Sequence, residues 1–319
     1  MKTLPFRWEM TRKFRLPSGD LRQPYYLQWS PRSSPHGEGW ENDRLDSNGV
    51  LTYGGLYNFV RIAQFALYQY DKLCEGSKEA QQIFIDQAKY LISAQGEDGG
   101  YRYLQPNRTY SANSGWLSGM AQGEAASVLL RAWALTGNED YKIAALAALG
   151  PLRRDILAGG ASYIRDGRVF FEEVAVPAFC HILNGHIYAA FGVWEACQSG
   201  IADEKLANLH NSAVKTLEEW LGHFDADGWS YYNLGIDDWG VRPLASLWYH
   251  QGHVAQLEVY SAMVGSRIFG DTARRWASAL HDPGAHSRVW RHGFYLLGRS
   301  ALKRVRLATP IVYRFADAT

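Results

Sequence analysis

The hydrophobic pattern changes character near residue 54. Before it, Pro5, Pro17, Pro24, Pro31 and Pro35 interrupt any regular period, because proline lacks an amide donor and breaks a helix. Residues 1–50 therefore read as an irregular N-terminal segment, with a strand-like piece at 25–29. After Gly54 and Gly55 the period becomes helical. Phe59, Ile62, Ala63, Ala66, Leu67 and Tyr70 form one apolar stripe of the kind an amphipathic helix buries. Further helices are expected over 78–94, 117–135, 140–157, 179–196, 203–223, 244–264 and 271–280, with a hairpin insertion over 161–176. Turn-rich stretches at Gly96–Tyr101 and Asp225–Tyr232 separate helical pairs.

Helix pairs that each bury one face on a neighbour stack as hairpins. The expected class is all-α, an (α/α) toroid or barrel, either complete or partial. An open solenoid satisfies the same period. The expected division is 1–50 irregular, 51–283 helical and catalytic, and 284–319 a basic extension. That last stretch carries Arg288, Arg291, Arg299, Lys303, Arg304, Arg306 and Arg314. It reads as a solvated face or as a contact with an anionic polymer or membrane surface.

Charge and composition narrow the partners. The formal net charge is only +1, so overall charge gives no support for nucleic acid. The 12 Trp and 19 Tyr supply core volume or flat, half-polar platforms for sugar rings. Cys74, Cys180 and Cys197 are few and scattered, which fits a reducing compartment rather than a disulfide framework. The N-terminus has no signal-like apolar run, and the most apolar stretch, 178–194, is short for a membrane span. The expectation is a cytoplasmic protein; a homodimer is compatible with it.

Four clusters can carry chemistry. In Gly115–Glu124, Trp116, Ser118 and Gln122 sit among small residues at a helix start. This is a close-approach surface for a ligand or a tight helix contact with a capping serine. In Phe170–Pro177, Glu172 and Glu173 are adjacent in a strand-like run, so their side chains point apart. A buried one has a raised pKa. Asn184 and His186 interrupt an apolar helix and need partners. Finally, Tyr231 and Tyr232 precede a helix on which Tyr249, His253, Gln256 and Tyr260 share a face. A tyrosine acting on protons there needs a nearby cation or donor, such as His253 or Arg242. His250, His253 and Asp237 invite a metal reading but lack a third ligand at a characteristic spacing. Neither metal nor cofactor is expected.

Taken in order, these clusters resemble the C-terminal catalytic domain of the D-glucuronyl C5-epimerases. The matching stretches are Gly115–Gly123, Glu172 and Glu173 with Pro177 and Ile182–Gly185, and Trp248–His250 with His253 and Gln256. The resemblance implies an (α/α) barrel that inverts C5 of glucuronate within a polymer, or within its lipid-linked precursor. It implies tyrosine proton carriers: Tyr249 falls on one position, and Tyr232, with Tyr231 fitting nearly as well, on another. It also implies substrate contacts from Asn184 and one paired glutamate; Trp116, Gln122, His250, His186 and Arg242 complete the candidate binding set. Two positions depart from the family. Val174 stands where the family has tyrosine, and Gly235 where it has arginine, with Arg242 as a substitute. A hydrolase pairing Glu172 or Glu173 with Asp237 or Asp238, a lyase, and a non-catalytic glycan binder are the alternatives.

Overall fold

A computed structural model of the chain describes residues 14–28, 43–236 and 241–292. Its frame is a fourfold alternation of a short antiparallel hairpin, an inner helix and an outer helix. Hairpin β1 (Asp43–Leu45) and β2 (Leu51–Tyr53) leads into α1 (Phe59–Cys74) and α2 (Lys78–Ser93). Hairpin β3 (Arg102–Tyr103) and β4 (Trp116–Leu117) leads into α3 (Gly119–Thr136) and α4 (Glu139–Ala148). Hairpin β5 (Ser162–Arg165) and β6 (Arg168–Phe171) leads into α5 (Leu183–Gln198) and α6 (Glu204–Trp220). Hairpin β7 (Asp225–Ala226) and β8 (Trp229–Ser230) leads into α7 (Leu247–Val264) and α8 (Arg267–Ala279).

Inner helices α1, α3, α5 and α7 pack in that order, and α2, α4, α6 and α8 each lie against their own inner helix. The sequence explains which helices are inner. The first fourteen residues of α3 and of α5 are all buried, and a helix apolar all round belongs inside. By contrast, α6 and α8 bury a single stripe. The chain is mainly helical, as its period implies, and its strands occur in two-stranded hairpins among the described residues.

Local chemistry moves several element ends from their expected places. Helix α4 stops at Ala148 because Gly150 and Pro151 follow; two short 3-10 turns, Pro151–Arg153 and Ile156–Ala158, replace its expected last turns. Helix α5 starts at Leu183, since Phe179 and His181 hold φ of 46° and 47°, outside the helical range. Serine caps at Ser246 and Ser266 set the starts of α7 and α8.

The tightest contact lies between α3 and α5. A methyl added to Gly123 would overlap the backbone of Ala189, and one added to Gly192 would overlap the backbone of Gly123. The small residues of the 115–124 cluster therefore let two helix backbones touch. Further along the same pair, Arg131 and Glu195 form a 2.7 Å ion pair, 1% and 0% exposed. The guanidinium lies 4.8 Å from the Tyr25 ring and 5.6 Å from Tyr26. Residues 14–28 thus pack into the helical core: Arg15 pairs with Asp71 at 2.9 Å, and the Tyr25 N–H donates to the same carboxylate. Residues 283–292 are helical and carry Arg288 and Arg291. Arg299, Lys303, Arg304, Arg306 and Arg314 lie outside the described residues. No described helix is long and apolar enough to cross a membrane.

Gly192→Val forces a branched side chain into the α3 backbone. We expect a loss of about 3 kcal/mol or more in urea unfolding, with Gly222→Ala, a change at a glycine whose Cβ position is open and whose φ is not positive, losing far less.

Candidate active site

Because a hairpin precedes every inner helix, the N-terminal turns of α1, α3, α5 and α7 converge on one end of the fold. A cleft of about 730 Å³ opens there. Asn58, Arg61 and Gln64 come from α1 and its cap, Ser118 and Met120 from α3, Asn184 and Tyr188 from α5, and Tyr249, Gly252 and Gln256 from α7. The loop between β3 and β4 adds Gln105, Asn107, Arg108 and Tyr110. Side-chain hydrogen bonds help to order that loop. Trp116 Nε1 donates to the Gln105 carbonyl at 2.9 Å, Ser114 Oγ donates to the Leu104 carbonyl, and Asn233 Nδ2 donates to the Tyr110 hydroxyl at 3.3 Å. Trp116 stacks on Tyr103 with centroids 4.2 Å apart and stands in the cleft wall.

The two adjacent glutamates do point apart. Glu172 turns inward, away from the cleft lining. Its Oε1 lies 2.5 Å from His181 Nδ1, and its Oε2 accepts the His181 N–H at 2.8 Å. It anchors the strained 179–181 turn that delivers α5. Glu173 turns into the cleft. Its Oε2 accepts from Asn184 Nδ2 at 3.2 Å, and its side chain lies over Gly185, where a methyl would overlap it. Of α1–α8, α5 alone has no side-chain cap, and Glu173 covers that end instead. Burial pushes the Glu173 carboxyl up to about 7, the Asn184 hydrogen bond partly offsets this, and the neighbouring Glu172 charge adds to it.

Tyr249 lines the cleft from α7. Tyr232 stands directly behind it, ring centroids 4.6 Å apart at 60°. Rings in contact leave no room for a sugar between them, so this pair forms one wall rather than two opposed faces. Burial, then the charges of Glu173 and Tyr249, push the Tyr232 phenol well upward.

Several other candidates lie elsewhere. Tyr231 and Arg242 line a separate surface depression with Asp227 and Arg288. The Arg242 guanidinium sits 5.3 Å from the Tyr231 ring and donates to the His223 carbonyl at 2.8 Å, so Arg242 does not stand in for an arginine at Gly235. Asp237 and Asp238 lie outside the described residues, and among those described no His, Cys, Asp and Glu group could hold a metal. Glu173 is the only carboxylate among the described lining residues.

Gln122, His186 and His250 share one structural task, and the repeat explains it. Each lies four residues after the N-cap of its inner helix: Ser118, Ile182 and Ser246. Gln122 Oε1 accepts the Tyr101 N–H at 2.8 Å, His186 Nδ1 the Phe171 N–H at 2.9 Å, and His250 Nδ1 the Ser230 N–H at 3.0 Å. Each pins the preceding hairpin to the helix top. His253 joins the last of these clamps, its Nδ1 lying 2.8 Å from Ser230 Oγ. On α7 the cleft face is Tyr249, Gly252 and Gln256, and His253 sits on the neighbouring edge toward Trp276. Sequence reading missed Arg61, Gln64 and Arg108. They lie outside the motif blocks, and the long β3–β4 loop and the start of α1 meet α5 and α7 only in the folded chain.

The fold and the cleft define a class: helical hairpins that gather an acid, a phenol and two arginines around one aromatic-lined cleft. More particularly, the family model described as D-glucuronyl C5-epimerase C-terminus matches residues 95–278, and the chain belongs to that family. It is similar to the D-glucuronyl C5-epimerase of Caenorhabditis elegans, 26% identical over 253 residues that cover 74% of this chain and 41% of that protein. It is also similar to an uncharacterized protein of Methanocaldococcus jannaschii, 24% identical over 197 residues that cover 56% of this chain and 63% of that protein. The chain thus spans less than two thirds of the length of either relative.

Two pH responses follow, of opposite sign. Burial holds His186 down at about 3 and His250 and His210 at about 4. Unfolded histidines bind protons below about 6.5, so stability is complete above that pH and falls as pH drops toward 4. His186→Gln copies the Gln122 clamp and should flatten part of this fall in denaturant melts. Glu173 behaves inversely. Between pH 4.5 and 7 the unfolded carboxyl has lost a proton that the folded one keeps, so its contribution declines as pH rises. Glu173→Gln should gain stability relative to the parent across that window, on the order of 2 kcal/mol after allowing for its partial exposure.

Proposed function

We propose that this chain is a uronosyl C5-epimerase that inverts C5 of a uronic acid residue, glucuronate to iduronate type, within a polysaccharide. The carrying observation is that Glu173, held up to about 7, and the Tyr249 phenol line one cleft with Arg61 and Arg108. A group that takes a proton and gives it back works best with a pKa near the operating pH. In this reading the Glu173 carboxylate takes the C5 proton, and the electron pair passes into the sugar carboxylate as an enediolate. Tyr249 then returns a proton to C5 from the other face, which inverts the centre. The two carriers regain their starting states through solvent.

The developing charge needs cations or donors aimed at it. Arg61 and Arg108, with the N-terminal ends of four inner helices, supply that sign of field. Eight aromatic side chains line the same cleft, Trp116 and Trp248 among them, and suit the faces of sugar rings. The row of inner helices is read as the arc of an (α/α) toroid whose bowl receives the polymer. The polymer is a surface polysaccharide or its lipid-linked precursor, processed in the cytoplasm, with the basic C-terminal stretch near the membrane. Val174, 2% exposed in an apolar group with Tyr110 and Trp116, gives this cleft a less polar wall than the family pattern.

Incubation with glucuronate- and mannuronate-containing polymers in heavy water tests the proposal. Deuterium should enter at C5, read by proton resonance. Tyr249→Phe and Glu173→Gln should each slow entry by about 100-fold or more while keeping a cooperative melt. No exchange on any uronate polymer would sink the reading. An unsaturated product absorbing in the ultraviolet would redirect it to a lyase, which shares the first proton transfer.

A further inference from the structure

A second depression, of about 590 Å³, lies beside the cleft. Tyr231 and Tyr232 are consecutive, yet Tyr232 backs Tyr249 in the cleft wall while Tyr231 lines the depression. One short segment thus separates the two, and both stand at the hairpin end of the fold. Three elements build the depression: the β7–β8 hairpin with Asp225 and Asp227, the stretch 241–244 that leads to α7, and the C-terminal helical stretch with Arg288 and His292. Two bonds tie them together. The Leu244 N–H donates to His292 Nε2 at 3.2 Å, and Arg288 Nη2 donates to the Asp227 carbonyl at 3.0 Å.

The charges here do not cancel. Arg275 takes the Asp225 carboxylate, and the Asp227 carboxylate, 95% exposed, lies 3.9 Å from Arg288. Arg242, half-buried in the lining, has no carboxylate partner among the described residues. It is nevertheless held in place: Nη1 donates to the His223 carbonyl at 2.8 Å, and the guanidinium lies 5.3 Å from the Tyr231 ring centroid. A planar cation fixed in this way and left without an anion suits a carboxylate, which matches its fork of donors. Tyr231, Leu244 and Val289 add apolar surface beside it. A bare inorganic anion makes no use of that surface, whereas the face of a sugar ring does. We propose that this depression is a second glycan-binding site, in which Arg242 and Arg288 hold the carboxylate of a uronic acid residue and Tyr231 carries its ring. A polymer engaged in the cleft reaches it by passing over the Tyr231–Tyr232 segment, and the second contact then acts at a high effective concentration. The bridging rests on the reading of the cleft as a uronate site; the affinity of the depression for uronate does not.

The test uses the full chain. A long glucuronate-containing polymer and inorganic sulfate are titrated into the parent, Arg242→Gln and Arg288→Glu, with Kd read by calorimetry and folding by thermal melts. Hydrogen exchange over 225–232 and 284–292, read by mass spectrometry, reports on the depression directly. In the parent the polymer should protect both stretches. Each variant should lose that protection and bind the polymer about tenfold or more weakly. The Arg288 side chain is 36% exposed, and a surface change of this kind rarely threatens a fold, so this variant keeps the test decisive if Arg242→Gln melts early. Unchanged Kd and protection in Arg288→Glu overturn the inference. Sulfate that protects both stretches as well as the polymer does also overturns it, because the depression is then a site for bare anions. C5 exchange by the parent scores the cleft separately. Exchange without protection of the depression sinks the inference and leaves the cleft reading standing. Protection without exchange upholds the second site and removes the bridging role with the cleft reading.

Discussion

The cleft exists because α3 and α5 approach until their backbones touch. Gly123, Ala189 and Gly192 permit that approach, and any side chain there would spread the two helices. The spacing of their N-terminal turns follows directly from it. Those turns hold Ser118 and Met120 on one side and Asn184 on the other. The buried Arg131–Glu195 pair locks the same two helices lower down. Removing one partner of such a pair leaves a charge stranded in the core.

On that foundation the repeat does the positioning. Each inner helix follows a hairpin in the chain, and a polar side chain four residues past the N-cap holds a backbone N–H in or beside that hairpin in α3, α5 and α7. The fold can therefore fill the helix tops with varied residues without losing their geometry. At α5 the arrangement is altered. No side chain caps it, and Glu173 lies over its first turn against Gly185. The site thus stands where the repeat departs from its own rule. Local irregularity of this kind is expected where a structure meets function rather than packing.

Much of this was legible beforehand. The helical period, the capping role of Ser118, the divergence of Glu172 and Glu173, and the raised acidity constant of a buried glutamate all follow from local rules. The family could be read from the order of its motif blocks. What local rules could not separate were two kinds of polar residue on apolar helices. Asn184 and His186 are two positions apart on α5, yet one faces the cleft and the other clamps a hairpin. A polar interruption says that a partner is needed, not which partner it is.

By itself, then, the sequence determined the helices and the chemical inventory, because those depend on period, propensity and side-chain identity, whereas of the four hairpins only β5–β6 was expected. Tertiary structure decided which candidates share the cleft and which further residues join them. Arg61 and Arg108 join Glu173 and Tyr249 only after four helix ends converge, and Tyr231 and Arg242 are carried to another surface though they adjoin the motif in sequence. Contacts between segments fifty to two hundred residues apart are set by packing distance and backbone direction, and neither is written in any local stretch of the chain.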